Sequence, residues 1–270
     1  PRVEHARYAR RRDAASTAKC SETRQGKMLW GVLLLVSTGA DDVCSDVRAT
    51  WNYAFRPRHV NPKPLIIGAG EGTTGTHTVA RLISRTASPA RTVAHWALVY
   101  GNKSSEALQA YVGLRKRLMA LTPPERAHFD YDVFDAYDGV TDVPIPQLFP
   151  YIYRTYPQAR VILSVRNASE WVDSRVRHHP TSPRPFALFD ASMEIIMNRT
   201  KKDRTSRPSL NPSDSALAFA MQNMLVRCLV PSHKLLVVDV FNTPDAVLRE
   251  QIRAFLMPTE QQDSKGATSE

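Results

Sequence analysis

The chain has 270 residues, 43% of them hydrophobic, and a formal charge of +10. That length accommodates one sizeable α/β domain with tails and excludes two domains of typical size joined by linkers. The positive excess points to an anionic partner, but eight arginines and lysines stand against three acids in the first 27 residues. This run lacks the interleaved aromatic side chains of a single-stranded nucleic-acid site, so residues 1–27 read as a basic disordered tail or upstream extension, with no nucleic acid as partner.

From Met28 the apolar stretch LWGVLLLVSTGA follows a positive flank and ends in small residues before Asp41-Asp42. It is too short to span a bilayer comfortably, so residues 28–40 have the form of a signal peptide, with a short membrane anchor and an ordinary buried segment as alternatives. The expected location is the secretory pathway, in the Golgi lumen or secreted, against a cytoplasmic alternative. Glycosylation triplets begin at Asn102, Asn167 and Asn198 and agree with that route. Of Cys20, Cys44 and Cys228, the last two are the pair left for a disulfide if the chain is cut after Ala40.

Residues 41–63 are an irregular lead-in, because Pro57, Pro62 and Pro64 each remove a donor and restrict the residue before. The domain proper is expected over 64–257, with 258–270 a disordered tail. In chain order, LIIGA predicts a strand, a Gly- and Thr-rich loop follows, and a helix runs from about Thr74 to Arg85. RTVAHWALVY predicts a second strand, 104–120 a helix, and FDYDVFD a third strand. A helix follows Pro144 and Pro146 and ends near Pro157, ARVILSV is a buried strand, and ASEWVDSRVRH a helix. A mobile loop is expected at about 199–213, then a helix from Ala216 to Cys228, the strand KLLVVDV and a closing helix from Pro244 to Leu256. Strands alternating with helices predict an α/β fold, a mainly parallel sheet with helices on both faces.

Two segments carry chemistry. In LIIGAGEGTTGTHTV an apolar strand passes through Gly70, Gly72, Thr73, Thr74, Gly75 and Thr76 directly into a helix, an arrangement that offers amides and a favourable dipole to an oxyanion. Gly70 and Gly75 have the spacing of a nucleoside-triphosphate loop, but Thr76 stands where that motif needs lysine, which disfavours a P-loop kinase or hydrolase. In ARVILSVRNASEWVDSR a strand delivers Arg166 at its C-terminal edge and Ser174 follows on the next helix. Ligands bind at that edge in open α/β sheets, and a guanidinium grips phosphate bidentately.

In this order the two segments resemble the sulfotransferase family, a P-loop-like α/β architecture. So do Asp142-Val143-Pro144, Tyr156-Pro157-Gln158-Ala159-Arg160 with the strand after it, and residues 234–256. The resemblance covers about residues 64–257. It implies sulfuryl transfer from 3′-phosphoadenosine 5′-phosphosulfate to a hydroxyl or amine. The loop from Gly70 to Thr76 then holds the phosphosulfate, and Arg166 and Ser174 hold the 3′-phosphate. Family loops carry a lysine or arginine where this chain has Thr73; His77 or a distant arginine are the candidate substitutes. His95, on the second strand, is the first candidate for the base that takes the acceptor's proton, and Asp142 the second. Adjacent His178 and His179 point apart on a helix, so no metal is expected. The acceptor is unknown, a glycan or protein if the chain is lumenal. The alternative from another class is a non-catalytic nucleotide-binding or secreted interaction protein on the same fold.

Overall fold

The structure, a computed structural model, describes residues 44–45, 47–49, 60–96, 98–101, 104–178 and 212–257. Its elements are β1 (Ile66–Gly68), α1 (Thr76–Ser84), β2 (Val93–His95), β3 (Leu98–Tyr100), α2 (Ser105–Ala120) and α3 (Pro123–His128). They continue with β4 (Gly139–Thr141), α4 (Ile145–Thr155), β5 (Arg160–Val165), α5 (Ala168–His178), α6 (Pro212–Leu229), β6 (Leu235–Asp239) and α7 (Asp245–Leu256). The strands form one sheet in the order β3-β2-β4-β1-β5-β6. Every pairing is parallel except that of β2 with β3. The fold is therefore the mainly parallel α/β sheet that the strand and helix alternation predicts.

Strand residues point alternately to the two faces, and the core divides accordingly. Leu65, Ile67, Ala94, Val140, Val161 and Leu163 share one cluster with Tyr111 and Leu118 of α2, Ile145, Phe149 and Ile152 of α4 and Leu225 of α6. Ile66, Val93, Ile162 and Val238 join the other with Val79, Ala80 and Ile83 of α1 and Leu248 and Ile252 of α7. A sheet covered on both faces needs continuous apolar strands, which is why LIIGA and VILSV carry no alternation of polar residues.

Three expectations are corrected. The segment 91–100 is a hairpin rather than one strand: it reverses after His95, at Trp96 with φ 35°, and β3 returns antiparallel with His95 opposite Leu98. FDYDVFD is a 3-10 turn over Tyr131–Ala136. Its alternation imitates a strand, but Tyr131 and Phe134 are buried three residues apart, on one side of a three-residue period, and Asp130 caps the turn by accepting from the amide of Asp132 at 3.0 Å. The strand expected there is the shorter β4, three residues at 139–141. Helix α1 begins at Thr76, not Thr74, because Gly75 and Thr73 both take positive φ. The N-terminal basic tail, residues 28–40, the loop at 199–211 and the tail from 258 lie outside the described residues.

Candidate active site

Strand β1 is flanked by β4 and β5, so its C-terminal end opens at the middle of the sheet edge, and the loop of residues 69–75 turns the chain there into α1. Two of its glycines answer to what lies behind them. A Cβ on Gly70 would strike the Ser164 hydroxyl and lie 2.7 Å from the Ser164 carbonyl oxygen, and one on Gly75, at φ 89°, would lie 2.6 Å from Val240 of the β6 edge. Glycine at these positions lets the loop sit down on β5 and β6. Thr74, fully buried, fastens it by donating to the carbonyl of Glu71 at 2.6 Å and bonding the Ser164 hydroxyl at 2.7 Å. The start of α1 has no side-chain cap and no acidic residue in its first turn. Its leading amides and the positive end of its dipole are thus available to an anion.

Gly72 faces another way. Its carbonyl accepts from the indole of Trp171 at 3.0 Å, and a Cβ there would meet the Arg175 guanidinium nitrogen at 2.8 Å and the Asp142 carboxylate at 3.4 Å. Between Gly70 and Gly72, Glu71 is buried with the Gln147 amide donating to its carboxylate at 3.1 Å. Burial pushes the Glu71 carboxyl up to about 8, against the opposing pull of Arg175. The same burial lowers Arg175 from the usual arginine value, with Glu71 and Asp142 opposing.

His95 ends β2 and stands across from the loop: its Nε2 lies 3.1 Å from Asp142 and 3.3 Å from the hydroxyl of Thr76. Asp142, just beyond β4, is at φ 66°. Its other oxygen accepts from the amide of Val143 at 2.8 Å and its carbonyl from Ile145, which starts α4. Asp142 therefore both opens the helix and orients the imidazole. Burial lowers the pKa of His95 below 6.5, His77 adds to the lowering, and Asp142 opposes it. With Nε2–H given to a carboxylate, the lone pair is left on Nδ1, a buried atom without a hydrogen-bond partner among the described residues.

Arg166 sits just past β5, its guanidinium 4.2 Å from the centre of the Phe241 ring and 3.5 Å from the Glu170 carboxylate. Ser174 is buried on α5. The structure thus gathers Gly72, Thr76, His95 and Asp142 around the loop and holds Arg166 toward β6.

The chain matches the family model described as sulfotransferase domain over residues 65–242. It belongs to the sulfotransferase family. No curated protein matches it. The sulfotransferase domain so delimited contains the glycine loop, His95, Asp142, Arg166 and Ser174, and the transfer of sulfuryl groups is the chemistry that goes with it. Among the described residues, no three His, Cys, Asp or Glu side chains gather as a metal site. Sequence reasoning missed Glu71, Gln147 and Arg175. Glu71 carried a signal, a carboxylate inside a loop read as an anion cradle. Arg175 stands four residues after Trp171 on the same face of α5, but its approach to a loop about 100 residues earlier is a tertiary contact.

Proposed function

We propose that this sulfotransferase moves the sulfuryl group of 3′-phosphoadenosine 5′-phosphosulfate to a hydroxyl or amine of a glycan or protein acceptor. The observation that carries the reading is the meeting, at one sheet edge, of an uncapped helix start with a histidine oriented by a carboxylate. The donor suits the cradle: side chains are excluded at Gly70, Gly72 and Gly75, and the leading amides of α1 face an oxyanion. Arg166 and Ser174 hold the 3′-phosphate. His95 takes the acceptor's proton while the new bond to sulfur forms and the bond from sulfur to the 5′-phosphate oxygen breaks, leaving adenosine 3′,5′-bisphosphate. Asp142 steadies the imidazolium that results. A disulfide between Cys44 and Cys228 supports a lumenal or extracellular setting, where such bonds persist. Among the described residues no helix is long and apolar enough to cross a membrane.

Calorimetry with adenosine 3′,5′-bisphosphate and with ATP, followed by turnover of labelled donor, tests the proposal. The bisphosphate should bind and ATP should not compete. Arg166→Ala should weaken binding about 10- to 100-fold through loss of a charge-assisted contact while thermal unfolding is little changed. Equal binding of both nucleotides, or an unaffected Arg166→Ala, would refute it. A second reading, a binding protein without turnover, is favoured by Thr73 in place of the loop cation; tight bisphosphate binding with no transfer to any acceptor would decide for it.

A further inference from the structure

The loop at Thr73 has no basic side chain, and the leaving phosphate of a sulfuryl transfer gathers negative charge that a nearby cation stabilises. A cation reaches the loop by another route. Trp171 is fully buried, stacks on Phe219 with centroids 4.5 Å apart and donates its indole N–H to the carbonyl of Gly72, so α5 is pinned against the loop at that residue. Side chains four apart lie on one helix face, and Arg175 is therefore delivered to the same spot. Its guanidinium nitrogen lies 2.8 Å from where a Cβ of Gly72 would be. The missing side chain at residue 72 is what makes room for it.

We propose that Arg175, carried on α5 instead of on the loop, is the residue that grips the phosphosulfate end of the donor, and that Glu71 and Asp142 hold its guanidinium in place before the donor arrives. This rests on the sulfuryl-transfer reading above. The groups facing Arg175 are Glu71 on the loop, Asp142 beyond β4 and, through Asp142, His95 of β2. His77, by contrast, is exposed on the first turn of α1 and packs edge-on against His95 and Tyr100, toward the proton-accepting side of the site.

The test is calorimetry of adenosine 3′,5′-bisphosphate with the full chain and four variants, with folding followed by thermal unfolding. Arg175→Ala should weaken binding more than about tenfold, and Arg175→Lys should retain most of it. Thr73→Arg placed in the Arg175→Ala chain should restore affinity, a rescue that a purely structural arginine would not allow. Gly72→Ala leaves the charge in place but crowds it, and should weaken binding severalfold; if Arg175→Ala does not fold, this variant decides. Parent-like binding in Arg175→Ala, or failing that in Gly72→Ala, overturns the proposal while leaving the sulfotransferase reading standing. A parent chain that binds no bisphosphate overturns both.

Discussion

Glu71 and Arg175 attract one another, yet burial moves each toward its neutral form. Taking two ions out of water costs more than their attraction returns unless other groups complete the solvation. His95 follows the same logic. Its folded pKa lies below 6.5, so between the two values the unfolded chain binds more protons and the folded state loses stability as pH falls through 6.5. For the base proposed above the sign is favourable, since the imidazole is neutral at pH 7. The pH profile of kcat/KM should thus rise to a plateau below 6.5. Asp142→Asn should move that limb to lower pH, because the carboxylate is what holds the His95 value up, and His95→Ala should lower kcat by about 10²- to 10⁴-fold. A limb unmoved in Asp142→Asn would remove His95 from the role of base. At this scale local spacing placed the loop after β1 and Arg166 after β5, whereas His95 was singled out by the family resemblance of its strand. The pairing of His95 with Asp142 was not legible, because two residues nominated as rival bases turn out to be joined across neighbouring parallel strands.

Among the elements, α5 is the one whose bounds the sequence predicts residue for residue, Ala168–His178, and its start shows why. Asn167 accepts from the amides of Ser169 at 3.0 Å and Glu170 at 3.4 Å and from the Ser169 hydroxyl at 2.7 Å, a local cap readable from residue types alone. The hairpin of β2 and β3 and the turn over 131–136 were misread for the opposite reason: their patterns fit more than one period, and contacts with distant segments choose between them. Asn61, for example, donates to both Asp132 and Asp135 and favours the turn. Since α5 carries Trp171 and Arg175 to the loop at Gly72, weakening its cap should be felt there. Asn167→Ala should cost about 1 kcal/mol of stability and lower donor affinity, whereas Asn167→Ser, which keeps an acceptor oxygen, should do little of either. Denaturant unfolding and calorimetry on the two variants measure this, and equal losses in both would show that the cap oxygen is not what matters.

Across the whole molecule the site and the covalent tie lie at opposite edges of the sheet. The loop, His95, Asp142 and Arg166 all follow the C-terminal ends of strands, whereas Cys228 lies at the end of α6, before β6 begins. Cys44 and Cys228 are 184 residues apart in sequence and 4.8 Å apart between Cα atoms, and Arg48 beside them donates to the Cys228 carbonyl at 2.7 Å. Closing so long a loop restricts the unfolded chain, which is worth roughly 4–5 kcal/mol where chain entropy dominates. For a domain of this size each kcal/mol corresponds to roughly 2–4 °C, so Cys44→Ser with Cys228→Ser should lower Tm by roughly 10 °C or more. Donor affinity in the folded variant should stay within about twofold of the parent, because the tie lies before the start of β6 and the loop follows the C-terminal ends of the strands, and separated sites act largely independently. Thermal unfolding with and without reductant, beside calorimetry with adenosine 3′,5′-bisphosphate, measures both halves. A Tm indifferent to reductant would mean the two cysteines are not bonded in the folded chain. A loss of affinity out of proportion to the loss of stability would instead show that the tie at one edge positions the loop at the other.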